Sequence, residues 1–186
     1  MKFVKANGLI IHYLDQGRRD GPPLVFINPS APISVSGPRS QRSSGPISAS
    51  SLTISAAMGC PNLAPTSARW PNAGDLMGLV DSVGVERVTI VGLSIGGVIA
   101  QELYRQRPER VAALTLCDTA AKIGTDESWD QRIAQVERGG VEEIAGSVLE
   151  RWFTADFRAS RAAELAGVRA MLTRTPRQAI SPLAAP

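Results

Sequence analysis

Histidine is nearly absent from this 186-residue chain: His12 is the only one. Cysteine is scarce too, with Cys60 and Cys117 alone, and no CxxC or HxxxH spacing occurs, so a metal centre has no support. Cys117 lies in an apolar run and reads as a buried free thiol. No apolar stretch is long enough to cross a bilayer, and Met1-Lys2-Phe3-Val4-Lys5 lacks the apolar core of a signal peptide, which points to a cytoplasmic protein without a membrane role. Acids are missing from one whole region: none of the 17 lies between Asp20 and Asp75. The net charge of +3 and pI near 9.2 come without a basic patch, so nucleic acid is not indicated as a partner.

The remaining composition, 44% hydrophobic and 20% charged, is that of a globular domain with a real core. Residues 1–28 read as strands, with Leu9 to Leu14 following a turn at Ala6-Asn7-Gly8 and Leu24 to Asn28 forming a buried central strand. From 75 onward the pattern is α/β. A helix over 75–83 stops at Gly84, Val88 to Val91 is a short buried strand, Gly97 to Arg107 is a helix ended by Pro108, and Val111 to Leu116 is the next strand. Strand, helix and strand in this order imply a right-handed parallel crossover. Three amphipathic stripes follow over 126–174, carrying Ile133 and Val136, then Ile144, Val148, Leu149 and Trp152, then Leu165, Val168 and Leu172. Such helices after a parallel strand suit a cap, although core packing explains the stripes as well.

Residues 29–74 break the pattern. They are rich in Ser, Pro, Ala and Gly, without apolar period, and read as a low-complexity linker. A linker of that length inside a compact sheet is out of place. The sheet is therefore expected to have a gap or a weakly paired strand there.

The chemistry sits at Gly92-Leu93-Ser94-Ile95-Gly96. Gly-x-Ser-x-Gly is a common string, but here it follows an apolar strand and opens a helix, the context of a nucleophile elbow. The sharp turn projects the Ser94 hydroxyl above the sheet, and the Ile95 amide at the helix start can hold an oxyanion. A serine nucleophile needs a base, and in this architecture the chain order is serine, acid, histidine. No histidine follows Ser94 in the sequence, and His12 precedes it. The triad is incomplete in the residues given.

Three strings carry a family resemblance: Val91 to Gly97, then Leu116-Cys117-Asp118-Thr119-Ala120-Ala121-Lys122-Ile123-Gly124-Thr125, and Glu150-Arg151-Trp152-Phe153-Thr154. Together they resemble the 3-oxoadipate enol-lactonases, over residues 1–28 and about 75–177. The resemblance implies an α/β class with a partial α/β-hydrolase fold: core at 1–28 and 72–125, a helical cap at 126–177, and the C-terminal part of the fold absent. It implies hydrolysis of a small enol-lactone to 3-oxoadipate, in the β-ketoadipate route of aromatic breakdown, with no metal or organic cofactor. Ser94 is then the nucleophile, and Ile95 and Ser30 the oxyanion amides. Pro29 has no amide hydrogen and Ser30 falls in the aberrant stretch, which weakens that second donor. Trp129 and Trp152 would shape the substrate pocket. Serine esterases of the same fold are the nearest alternative, whereas a dehalogenase would carry Asp at position 94. A fragment without turnover is the reading from another class, and it is the one favoured for the chain as it stands.

The places where the resemblance fails have a common pattern. Synonymous codons for Ser48 to Pro61 can be chosen so that reading from each third base gives Arg-Val-Leu-Ala-Tyr-Asp-Lys-Arg-Gly-His-Gly-Leu-Ser, which resembles the family's strand and loop. Pro29 to Gly37 likewise yields Leu-Gly-Thr-Asp-Phe-Arg-Ile-Trp, and Gln178 to Pro182 hides Gly-Tyr-Ile-Ala. The expectation is a frameshift near Pro29 compensated near Asn72, leaving 29–71 irregular, and a second near Gln178 that gives an aberrant tail at 178–186.

Overall fold

The computed structural model describes residues 2–7, 9–16, 22–27, 53–57 and 73–174. Six strands form one sheet: β1 (Lys2–Ala6), β2 (Leu9–Gln16), β3 (Leu24–Ile27), β4 (Thr53–Ala57), β5 (Val88–Leu93) and β6 (Val111–Cys117), in the spatial order β1-β2-β4-β3-β5-β6. The antiparallel β1–β2 hairpin turns at Asn7, whose φ of 48° is a left-handed conformation that asparagine tolerates. β2 pairs antiparallel with β4, and β4, β3, β5 and β6 run parallel. As expected, 24–27, 88–93 and 111–117 are adjacent and parallel.

Helix α1 (Ala73–Ser82) precedes β5, and α2 (Ile95–Gln106) joins β5 to β6 through a 3₁₀ turn at Pro108–Arg110. Their apolar stripes, with Leu76, Leu79, Val80, Ala100 and Leu103, share one core with Val25, Ile27, Val88 and Ile90 of the sheet. The alternate strand residues Leu24, Phe26, Thr89 and Val91 are only half-buried. The strands are thus apolar on both sides, as parallel strands usually are, but the described helices cover one side fully. At the exposed end of α2, Arg105 and Gln106 donate to the Glu102 carboxylate and hold its pKa down to about 2, which offsets its unfavourable place near a helix C-terminus.

The expected gap in the sheet does not exist. Thr53–Ala57 lies inside the Ser/Pro-rich segment and is paired on both sides, with Ser55 opposite Leu14 in β2 and Phe26 in β3. Two strands flanking a vacant position each present a row of backbone donors and acceptors, and any extended segment with β-branched residues, here Thr53-Ile54, can satisfy them. The rest of the 29–71 segment, and the tail from 178, lie outside the described residues.

Contacts divide the chain into two compact units, the second beginning at Gly124. This second unit is helical: α3 (Asp126–Gly139), α4 (Glu142–Trp152), α5 (Ala155–Ser160) and α6 (Ala162–Thr173). Four helices stand where three stripes were read. The extra one, α5, is six residues long, started by Thr154, whose side chain accepts from the Phe157 amide at 3.3 Å. A capping box starts α3: Thr125 Oγ1 accepts from the Ser128 amide, and Ser128 Oγ accepts from the Thr125 amide. The unit's core is Val136, Val141, Ile144, Ala145, Val148 and Leu172. Trp152 is not part of it, being 43% exposed at the end of α4.

Candidate active site

The chain leaves β3 for β4 on one side and β5 for β6 on the other. The carboxyl ends of β3 and β5 therefore bound a crevice at the point where strand order reverses, where open α/β sheets bind ligands. Ser94 stands at that edge, between β5 and α2. Its backbone has φ 54° and ψ −122°, a conformation that costs a non-glycine residue about 1–3 kcal/mol.

The surroundings hold it there. The Ser94 amide donates to the Cys117 carbonyl at 3.0 Å, and its carbonyl accepts from Gly97 N at 2.9 Å and from Thr119 Oγ1 at 2.7 Å. Gln101 Nε2 bridges the Gly97 and Ala120 carbonyls, both at 3.1 Å, tying α2 to the loop after β6. Each glycine of the motif has a steric reason. A Cβ on Gly92 would lie 2.6 Å from the Gly96 carbonyl oxygen. On Gly96 it would run into the carbonyl of Ile27, and on Gly97 into the Thr119 side chain at 2.6 Å. The elbow can be this tight only because three side chains are missing.

Because Ser94 carries its strain without a glycine's freedom, Ser94→Gly is expected to raise stability by about 1 kcal/mol, the relief of strain less the added unfolded-state entropy. A urea midpoint that moves down in the variant would show that the elbow stores no strain.

Ile95 opens α2, at the position where helix geometry supplies no intrahelical acceptor for the amide. The structure therefore brings Ser94 and Ile95 together. Ser30 lies outside the described residues. Trp129 sits in α3 of the helical unit, half-buried, with the Arg132 guanidinium 5.6 Å from its ring centre. Burial, then the nearby positive charge of Arg151, lower the Arg132 pKa from its ordinary value. Trp152 presents an exposed ring. His12 belongs to β2, its backbone paired with Phe3 and Ala57. The sequence reading passed over Thr119 and Gln101 as site supports, although Thr119 stands in the Leu116–Thr125 string. Cys117 is free and half-buried rather than buried, because β6 is the last strand of the described sheet. A surface hollow of about 640 Å³ near Asp81, Glu86, Arg87 and Arg110 lies at the amino end of β5, away from Ser94. Its arginines are committed to the Val85, Glu86 and Val111 carbonyls and to Asp81.

Residues 67–172, more than half of the chain, match the family described as alpha/beta hydrolase fold. The chain belongs to the α/β-hydrolase fold family. Within it, 83 residues are 36% identical to 3-oxoadipate enol-lactonase 2 of Acinetobacter baylyi, covering 45% of this chain and 31% of that enzyme. The same organism's 3-oxoadipate enol-lactonase 1 is 31% identical over 83 residues, with the same coverage. The matched stretch is thus about a third of these relatives' length. Among solved structures, the enol-lactonase from Burkholderia xenovorans LB400 superposes with a TM-score of 0.82 at 25% identity, over 98% of this chain and 72% of that one. A thermophilic esterase from Thermogutta terrifontis, at 22% identity and TM-score 0.79, shares the fold. No helix among the described residues is long and apolar enough to cross a membrane.

Proposed function

We propose that this α/β-hydrolase descends from a serine-nucleophile lactone hydrolase of the 3-oxoadipate enol-lactonase type, a cytoplasmic enzyme of aromatic breakdown. The single observation that carries the reading is the strained Ser94 at the switch-point edge, supported by the Leu116–Thr125 string that clamps it. In the complete reaction Ser94 Oγ attacks the lactone carbonyl while a base takes its proton. The Ile95 amide and a second donor from the loop after β3, at Ser30, hold the oxyanion. Collapse opens the ring and leaves an acyl-enzyme, and water then releases 3-oxoadipate and restores the serine. No step calls for a metal or an organic cofactor. Trp129 and Trp152 are our candidates for substrate-binding side chains of the helical unit.

The test is a polypeptide in which the reading frame is restored across 29–72 and after 177. It is expected to hydrolyse the enol-lactone, and Ser94→Ala in it to abolish turnover. A restored protein that cleaves simple aryl esters but leaves the lactone intact would favour the general esterase reading instead.

A further inference from the structure

The chain at and just after the end of β6 holds the backbone of Ser94 at two points. The Cys117 carbonyl accepts from the Ser94 amide at 3.0 Å, and Thr119 Oγ1 donates to the Ser94 carbonyl at 2.7 Å. Asp118 between them has φ 42°, a left-handed conformation that aspartate tolerates better than most residues and that turns the chain between the two contacts. Thr119 makes the shortest of three hydrogen bonds to that carbonyl, with Gly97 N at 2.9 Å and Val98 N at 3.4 Å. It reaches there only because residue 97 has no side chain. A Cβ on Gly97 would lie 2.6 Å from Thr119 Cγ2 and 2.7 Å from its Oγ1. Gln101 Nε2 fastens the same loop to α2 by donating to the Gly97 and Ala120 carbonyls.

We propose that Thr119 is a positioning residue for the oxyanion donor, acting through the peptide unit that joins Ser94 to Ile95; this rests on the acyl-transfer reading of Ser94. The carbonyl that Thr119 holds and the Ile95 N–H belong to one planar trans unit, in which the two groups point in opposite directions. Whatever fixes the direction of the Ser94 carbonyl therefore fixes that of the Ile95 N–H. The hydroxyl acts through charge as well. Donation to the carbonyl oxygen draws electron density from the amide nitrogen through the peptide resonance, which makes the N–H a stronger donor. An oxyanion exists only once the serine has attacked, so Thr119 acts on kcat and leaves KM unchanged. Plain packing is the rival role, and two substitutions separate them. Valine keeps the branched shape and loses the hydroxyl, whereas serine keeps the hydroxyl and loses the methyl that lies against Gly97.

Ser-Ile occurs once in the sequence, at 94–95. Serine labelled with carbon-13 at its carbonyl and isoleucine labelled with nitrogen-15 therefore give one carbonyl–amide NMR correlation in the 186-residue chain. Thr119→Val should move that peak to lower carbon frequency, and Thr119→Ser should leave it near its parent position. In the frame-restored enzyme, Thr119→Val should lower kcat about 10- to 100-fold with KM unchanged, less than the roughly 10²–10³ lost with a whole oxyanion donor. Thr119→Ser should recover most of that loss. Rates are read on a simple aryl ester as well as on the lactone, because both pass through an oxyanion. A parent that cleaves the ester alone would overturn the lactone reading, and the ester rates would still decide the role of Thr119. A peak unmoved by Thr119→Val, or a Thr119→Ser enzyme as slow as Thr119→Val, would overturn the proposal. So would a loss that appears in KM rather than kcat.

Discussion

The 186-residue chain should hydrolyse enol-lactone about 10⁴- to 10⁶-fold more slowly than its frame-restored counterpart, and Ser94→Ala should lower that residual rate no further. A serine hydroxyl near neutral pH is almost wholly protonated, and its nucleophilicity depends on a base within about 3 Å. No histidine follows Ser94 in this sequence. His12 does not substitute for it. Three strand spacings separate β2 from β5 across β4 and β3, a backbone distance of about 14 Å at ~4.8 Å per spacing. In a serine protease where each triad member was removed in turn, loss of the serine or the histidine cost about as much as loss of all three, roughly a million-fold. What survives such losses comes from the oxyanion donors and binding. Of the two donors proposed above, the described residues include the Ile95 amide. The measurement is loss of lactone absorbance with both polypeptides and their Ser94→Ala variants. Substantial turnover by the 186-residue chain that disappears in Ser94→Ala would mean that a base is present which the sequence order does not reveal.

What could be read from the residues, and what could not, follows from how each feature is encoded. The elbow was legible because its signal is local, an apolar run, a Gly-x-Ser-x-Gly-Gly turn and a helix in consecutive residues, although the contacts that require its glycines reach as far as Ile27 and Thr119. The three parallel strands were legible for the same reason. Thr53–Ala57 was not, because a strand between two waiting neighbours is selected by their backbone groups rather than by its own side-chain period. Thr119 was missed as a support because its partner, the Ser94 carbonyl, is 25 residues away in sequence and a backbone atom, which leaves no mark on residue type. Trp152 was read into an apolar stripe by its spacing from Leu149 and Val148, but the helix ends there, and a terminal residue has fewer neighbours to bury it.

Gly96→Ala should cost the fold about 3 kcal/mol, although alanine is the better helix former. The two effects oppose each other, and their sizes decide the outcome. Replacing glycine by alanine in a helix gains about 1 kcal/mol in propensity. Against this, the new Cβ would collide with the Ile27 carbonyl oxygen and lie 2.9 Å from its carbon. Those atoms belong to β3, which is hydrogen-bonded to β4 on one side and β5 on the other, so they cannot swing aside as a flexible side chain would. Overpacking that displaces side chains costs about 1–3 kcal/mol, and displacement of paired backbone stands at or beyond the upper end. Gly146→Ala is the control. It also lies within a helix, α4, but a Cβ there meets nothing within 4 Å, so it should stabilise by up to about 1 kcal/mol. Gly92→Ala should behave like Gly96→Ala, and because its Cβ would strike the Gly96 carbonyl, the two costs should not add. Urea denaturation of these three variants and of the Gly92→Ala/Gly96→Ala double variant, read by circular dichroism, gives the comparison. In the frame-restored enzyme the same shift moves the Ile95 amide off the oxyanion position, and kcat should fall by about 10²–10³. A Gly96→Ala protein as stable as its parent would mean that α2 does not approach β3 as closely as the structure has it, and the steric account of the elbow would fail with it.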